Sequence, residues 1–243
     1  MTLFEGRNLD CRRGGRDVFA GLSFELPAGG ALLLTGANGS GKSSLLRMLA
    51  GLLRPAGGAI LWDGQPVGED PGAHAARLHY LGHLDAVKPV LSVRENLRFW
   101  ASLREGAEGQ GAEGDGATAE DAGGGEAVPD DSVLGESGRL EAALDHFALG
   151  DLADVAGRLL SAGQRRRLAL ARLLAQPAAL WLLDEPSVGL DHASVGRLAA
   201  AIAGHRARGG SVIVATHTAL DLPDALPLSL DALAPPPLPE MIW

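Results

Sequence analysis

Eight consecutive residues, Gly36-Ala37-Asn38-Gly39-Ser40-Gly41-Lys42-Ser43, carry the spacing of a phosphate-binding loop. Their glycines let backbone N–H groups turn toward an anion, and a helix starting near Gly41 adds its positive end. Lys42 is placed to reach the β- and γ-phosphates of a nucleoside triphosphate, the Ser43 hydroxyl to ligate Mg2+, and Ser44 follows in the same turn. A glycine-rich turn in a chain with 34 glycines is the bland alternative. Against it, the chain has only two lysines, Lys42 and Lys88, and one stands where a compact ammonium is needed rather than a planar guanidinium.

Leu180-Trp181-Leu182-Leu183-Asp184-Glu185 reads as an apolar strand ending in two carboxylates. Asp184 would hold Mg2+ through water, and Glu185 would polarise an attacking water as general base. Alone this pattern is weak, since apolar strands often end in acids. After a phosphate-binding loop it points to hydrolysis of a bound nucleotide such as ATP.

These groups need elements to carry them. Ala31 to Thr35 is a short apolar run bounded by glycines, the mark of a buried strand. Leu45, Leu46, Met48, Leu49 and Leu52 follow helical spacing until Gly51 and Pro55 stop it. Further strands are expected over Leu22 to Leu26, 57–64, Leu78 to Leu81, Ala179 to Leu183 and Ser211 to Thr216. Helices are expected over Val93 to Leu103, with Ser92 and Glu95 as a capping box, and over 162–175 and 193–207. Residues 224–243, with Pro235-Pro236-Pro237 and Pro239, read as irregular after a possible last short strand, and 234–243 as a proline-rich tail.

Composition bounds the function. The net charge is −9, but residues 105–138 hold ten acids and no base, and the rest is nearly neutral at +1. The folded part is therefore not a basic nucleic-acid binder, and no nucleic-acid partner is expected. Segment 104–138 is Gly, Ala, Asp and Glu with few large apolar side chains; it reads as a disordered insertion, because helical patterning resumes at Leu140. Cys11 is the single cysteine, so no intramolecular disulfide forms. The sequence Met1-Thr2-Leu3-Phe4-Glu5 lacks a secretory pattern, and no apolar stretch approaches the roughly 20 residues needed to span a bilayer. Work at a membrane would need another chain to supply the spanning part.

Leu160-Ser161-Ala162-Gly163-Gln164 opens the arginine-rich helix, and with it the order of motifs resembles the ATP-binding cassette (ABC) ATPases, the motor subunits of ABC transporters. The family signature is LSGGQ, and Ala162 replaces its first glycine. The resemblance implies an α/β P-loop NTPase fold: a RecA-like mixed-sheet core, an antiparallel β subdomain and a helical subdomain. The core and β subdomain would take 1–80 and 155–230, and the helical subdomain 84–175. By the same resemblance, Ser161, Gly163 and the helix N-terminus of one copy bind the γ-phosphate of ATP held by another, which implies a homodimer of cassettes. Ser187-Val188-Gly189-Leu190-Asp191 resembles the D-loop that crosses that interface, and His217 the switch histidine that contacts the γ-phosphate beside Glu185 and Lys42.

Two departures stand out. His83 occupies the position of the family's Q-loop glutamine, where an imidazole could still reach Mg2+ or water with a different pH dependence. The family also stacks an aromatic on adenine from before residue 20, yet Cys11 to Arg16 offers none, leaving Phe19 or an arginine face.

Tyr80 to His83, Val87-Lys88-Pro89, Leu91 to Leu97, Leu160 to Arg172 and Trp181 resemble one subfamily. It comprises the haem-exporter ATP-binding subunits of bacterial cytochrome c maturation, CcmA, and His83 is part of that resemblance. The implied role is powering release of the haem-loaded chaperone CcmE, with membrane partners CcmB, CcmC and CcmD, from the cytoplasmic face of the inner membrane as a peripheral subunit. A different single-cassette exporter or importer subunit is the competing reading. A soluble ABC ATPase of DNA repair or the ribosome is disfavoured, since those carry two cassettes or a coiled-coil insertion. Lys42 and Glu185 argue against a non-hydrolysing regulatory subunit.

Overall fold

The computed structural model describes residues 3–108, 135–218 and 220–231. Their strands are β1 (Leu3–Arg13), β2 (Arg16–Pro27), β3 (Ala31–Thr35), β4 (Gly57–Trp62), β5 (Gln65–Pro66), β6 (Leu78–Leu81), β7 (Leu180–Asp184), β8 (Ser211–Ala215) and β9 (Leu226–Ser229). Their helices are α1 (Lys42–Leu49), α2 (Pro71–Ala76), α3 (Val93–Glu108), α4 (Glu136–His146), α5 (Ala162–Ala175) and α6 (His192–Ala207). They group into two compact units, one running to Asp85 and resuming at Ala178, the other covering Ala86 to Pro177. Residues 155–175, assigned from sequence to both core and helical parts, fall wholly in the second.

The first unit contains two sheets. Strands β1 and β2 form a long antiparallel hairpin, and β4 and β5 extend it in the order β2-β1-β4-β5. The second sheet runs β6-β7-β8-β3-β9 and is parallel throughout its described strands. Parallel strands covered on both faces read as continuous apolar runs, and every residue of β7 and β8 is buried. Leu45, Leu46, Met48 and Leu49 of α1 join Leu32, Leu34, Leu180, Leu182 and Ile213 in one core that also takes Phe4, Leu9 and Phe19. Burial of side chains this large stabilises by about 1.5–3 kcal/mol each before chain entropy is counted.

Two buried histidines fasten this unit. His74 of α2 accepts the Trp62 indole N–H at Nδ1 (2.9 Å), and its Nε2 lies 2.8 Å from the Leu49 carbonyl at the end of α1. Burial lowers the His74 pKa, which keeps the ring neutral and this pair of bonds intact. His205 of α6 stacks flat on Trp181 with centroids 4.0 Å apart, and its Nε2 lies 3.1 Å from the Ser211 carbonyl.

The second unit is helical. α3 starts with the expected capping box: Ser92 N–H donates to Glu95 Oε2 (2.7 Å) and Glu95 N–H to Ser92 Oγ (3.2 Å). Buried Asn96 clamps the preceding loop, accepting from Lys88 N–H (2.7 Å) and donating to the carbonyls of Lys88, Leu91 and Ser92. The Arg172 guanidinium of α5 lies 4.0 Å from the Trp100 ring of α3, and burial lowers its pKa to about 10, so it stays cationic at neutral pH.

The insertion expected over 104–138 is narrower than that at both ends. α3 continues through Glu108 and α4 begins at Glu136. Arg, Glu and Ala within 104–108 are strong helix formers, and Glu136 lies in the first turn of α4, where an acid complements the helix dipole. The body of that expected insertion, 109–134, and the proline-rich tail expected at 234–243 lie outside the described residues.

Candidate functional site

The parallel sheet brings the site together because its strands all end on the same edge. β3 runs into the glycine loop, β7 ends at Asp184, and β8 leads through Thr216 to His217. A cleft of about 650 Å3 lies there, lined by Arg13, Val18, Asn38, Gly39, Gly41, Lys42, Ser43, Ser44, Asp184, Glu185, Val188, His217 and Thr218. The phosphate-loop residues, the strand-end carboxylates and the histidine, spread between positions 38 and 217, thus line one cleft.

The loop is held closely by its surroundings. Gly41 has φ +103°, and a Cβ there would lie 2.6 Å from Val18 Cγ1. Only glycine fits, because the hairpin packs directly under the start of α1. Ser40 N–H donates to the Ala37 carbonyl (3.1 Å), and Lys42 Nζ donates to the carbonyls of Gly36 (2.7 Å) and Ala37 (2.9 Å). The first N–H groups of α1 have no acceptor within the helix, and Lys42, Ser43 and Ser44, which carry them, line the cleft, a placement that suits an anion.

Asp184 is buried at the end of β7, with only 4% of its surface exposed. Glu185, the next residue, adopts φ +49°, a left-handed conformation that costs roughly 1–2 kcal/mol for a residue with a Cβ. Its N–H donates to the Ala215 carbonyl of β8 (2.8 Å), which fixes the turn. The Glu185 carboxylate then faces His217: Nε2 lies 3.8 Å from Oε1, and the His217 backbone N–H donates to Oε2 (3.3 Å).

Other expected residues lie elsewhere. Gly36, Ala37 and Ser40 form the loop behind the cleft rather than its lining, and exposed His83 is also absent from that lining. Asp191 caps α6, accepting from Ser194 N–H (2.8 Å). In the second unit, Ser161 caps α5 in a complete capping box with Gln164 (2.8 and 3.2 Å), and Arg165 donates to the Leu160 carbonyl (2.7 Å). Leu160, Ala162 and Gly163 therefore sit on a rigid helix start.

One expectation is corrected. Phe19 is fully buried in the core beneath Gly41, so its ring cannot take a base. Arg13 and Val18 hold the cleft mouth instead. Arg12, beside them, is bound to Asp17 (2.7 Å). Arg13 belongs to the arginine face expected there as the alternative to Phe19, whereas Val18 and Thr218 were not predicted as lining residues: no spacing rule marks them, because the hairpin and the loop after β8 deliver them through tertiary packing.

Residues 19–188 match the family model of the ABC transporter. The chain is 54% identical to the cytochrome c biogenesis ATP-binding export protein CcmA of Rhodospirillum rubrum, over 97% of this chain and 89% of that protein. It is 54% identical to the protein of the same name from Paramagnetospirillum magneticum, over 96% of each. The chain belongs to the ABC transporter ATP-binding family. As an ABC ATPase it binds and hydrolyses ATP, and its fold agrees. A putative ABC transporter ATP-binding protein from Pyrococcus furiosus superposes with a TM-score of 0.74 at 23% identity, covering 96% of this chain and all of that one. The expected α/β architecture, with its antiparallel sheet, core sheet and helices, is that of the family. Among the described residues, no helix of this ABC ATPase is long and apolar enough to cross a membrane.

Proposed function

We propose that this ABC ATPase is the motor subunit of a membrane complex that exports haem for cytochrome c biogenesis, releasing the haem-loaded chaperone CcmE. The observation that carries the reading is 54% identity, along nearly the whole length of both chains, to export proteins named for cytochrome c biogenesis. The partners would be a second copy of the chain, CcmB-like membrane subunits and the associated CcmC and CcmD. The chain would act peripherally, at the cytoplasmic face of the inner membrane. A subunit of another single-cassette ABC exporter or importer is the alternative.

The site supports the following chemistry. Residues Gly36 to Ser44 would wrap the phosphates of ATP, with Lys42 between the β- and γ-phosphates. The Ser43 hydroxyl and buried Asp184 carboxylate line one wall of the cleft and suit a hard cation. Mg2+ held there would neutralise charge on the β- and γ-phosphate oxygens. Glu185 takes a proton from the attacking water, whose oxygen bonds to the γ-phosphorus as the bond to the β–γ bridging oxygen breaks and ADP leaves. His217 holds the Glu185 carboxylate in place and offers its ring to the γ-phosphate. Asp191 would meet the other copy through the D-loop. Leu160 to Gln164 of that copy, chiefly Ser161 and Gly163, would close the site over the γ-phosphate.

Purifying the tagged chain from solubilised membranes tests the assignment. The reading expects integral membrane subunits and the haem chaperone to come down with it; recovery of an unrelated permease instead would favour the alternative.

A further inference from the structure

We infer that Asp231 is a positioning residue for the phosphate loop, acting through the Gly36–Ala37 peptide on Lys42. The inference rests on the reading of Gly36 to Ser44 as the ATP phosphate site.

Strand β9 lies beside β3 in parallel register, with Thr35 paired to Ser229. Leu230 N–H donates to the Thr35 carbonyl (3.0 Å), so the next side chain, Asp231, arrives against the first residues of the loop. Its Oδ1 accepts the Ala37 N–H at 2.9 Å, a contact between residues 194 positions apart. That N–H belongs to the same peptide unit as the Gly36 carbonyl, which accepts Lys42 Nζ at 2.7 Å. One peptide plane therefore joins a carboxylate on one edge to an ammonium on the other.

Bonds in such a chain polarise one another. An anionic acceptor on the N–H makes the Gly36 carbonyl a stronger acceptor for Lys42, and it also fixes the plane against rotation. The space behind Gly36 is already filled: a Cβ there would meet Asp231 Oδ1 at 3.0 Å and Ser40 Oγ at 2.7 Å. Asp231 itself is exposed and absent from the cleft lining, whereas its neighbour Leu230 is the buried anchor of this segment. Its side chain is thus not needed for packing and does not touch substrate; its partner is the loop. Without it, the loop and the lysine must be ordered by ATP itself, which weakens apparent ATP binding more than it slows the chemical step.

Steady-state Mg-ATP hydrolysis by the full chain tests this. Asp231→Ala is expected to raise KM about five- to tenfold, with kcat within about twofold of wild type, as losing one charge-assisted bond implies. Asp231→Asn keeps an acceptor oxygen but loses the charge, and is expected to raise KM less, about two- to threefold. Should the alanine variant not fold, the near-isosteric Asp231→Leu carries the same expectation as alanine. An unchanged KM in the variants lacking an acceptor, or an equal rise in Asp231→Asn, overturns the inference. Lys42→Ala separates the two levels. If it no longer binds ATP, an unchanged KM in Asp231→Ala removes only the role of Asp231. If it binds ATP at wild-type strength, the loop reading falls and the inference with it.

Discussion

His217 meets Glu185 at two points: its backbone N–H donates to Oε2 at 3.3 Å, and its ring Nε2 lies 3.8 Å from Oε1. The pairing follows from sheet register. Asp184 on β7 is paired with Ala215 on β8, so the residues just past the two strands emerge side by side. The left-handed turn at Glu185 aims its carboxylate across that gap. A general base must point one way to accept a proton from water, and for Glu185, proposed for that role, the direction is set by a neighbouring strand rather than by its rotamer alone.

Glu185→Gln removes the basic oxygen while keeping the shape. Turnover should fall by about 10²–10⁴-fold, the range for losing a general base, with ATP binding retained and a nucleotide-bound dimer trapped. Phosphate release and size-exclusion chromatography with Mg-ATP read both. Wild-type turnover in this variant would remove Glu185 from its role.

His217→Ala takes away the ring proposed to meet the γ-phosphate and its approach to the Glu185 carboxylate, while the backbone N–H bond to Oε2 remains. Its kcat should drop by about 10²-fold, in line with losing one preorganised group at a charged transition state, and KM should change much less. An effect confined to KM would mean that the ring serves ground-state binding only.

Gly41→Ala places a methyl 2.6 Å from Val18 Cγ1 at φ +103°. The loop must shift or the hairpin must back away, so ATP affinity should fall by at least about tenfold while the chain still folds. Isothermal titration with ATP checks this, and an unchanged dissociation constant would show that the loop tolerates the displacement.

How much of this was legible in sequence depends on whether contiguous residues carried the signal. The phosphate loop, Asp184-Glu185 and the capping box at Ser92 are local patterns, and strands β3, β7 and β8 were visible as buried runs. β1 was not expected. Its residues Phe4, Glu5 and Gly6 are all buried, and register shifts at Leu9 and Cys11 break the two-residue alternation that marks a strand. Phe19 was misjudged because residue type does not reveal which face of β2 the ring takes. Val18 in the cleft and Asp231 behind the loop depend on which strand lies next to which, and no spacing encodes that.

Acid should unfold the chain through His205. Burial against Trp181 pushes this imidazole from its usual 6.5 down to about 4. Between those values the unfolded chain binds a proton that the native chain refuses, so stability is full above about pH 6.5 and falls as pH drops toward 4, by about 3 kcal/mol at most. His74, lowered in the same direction, adds to the slope. Urea midpoints at pH 7.5, 6 and 5 should show a shallower fall in His205→Phe than in wild type; parallel slopes would contradict the assignment.

ATP hydrolysis at Glu185 is proposed to drive release of the haem-loaded chaperone. The direct measurement is chaperone release from membranes containing the full complex, after addition of Mg-ATP. ATP-dependent release is expected with the wild-type chain, and retention of the chaperone on the membrane with Glu185→Gln. Release at the wild-type rate in the Glu185→Gln membranes would contradict it.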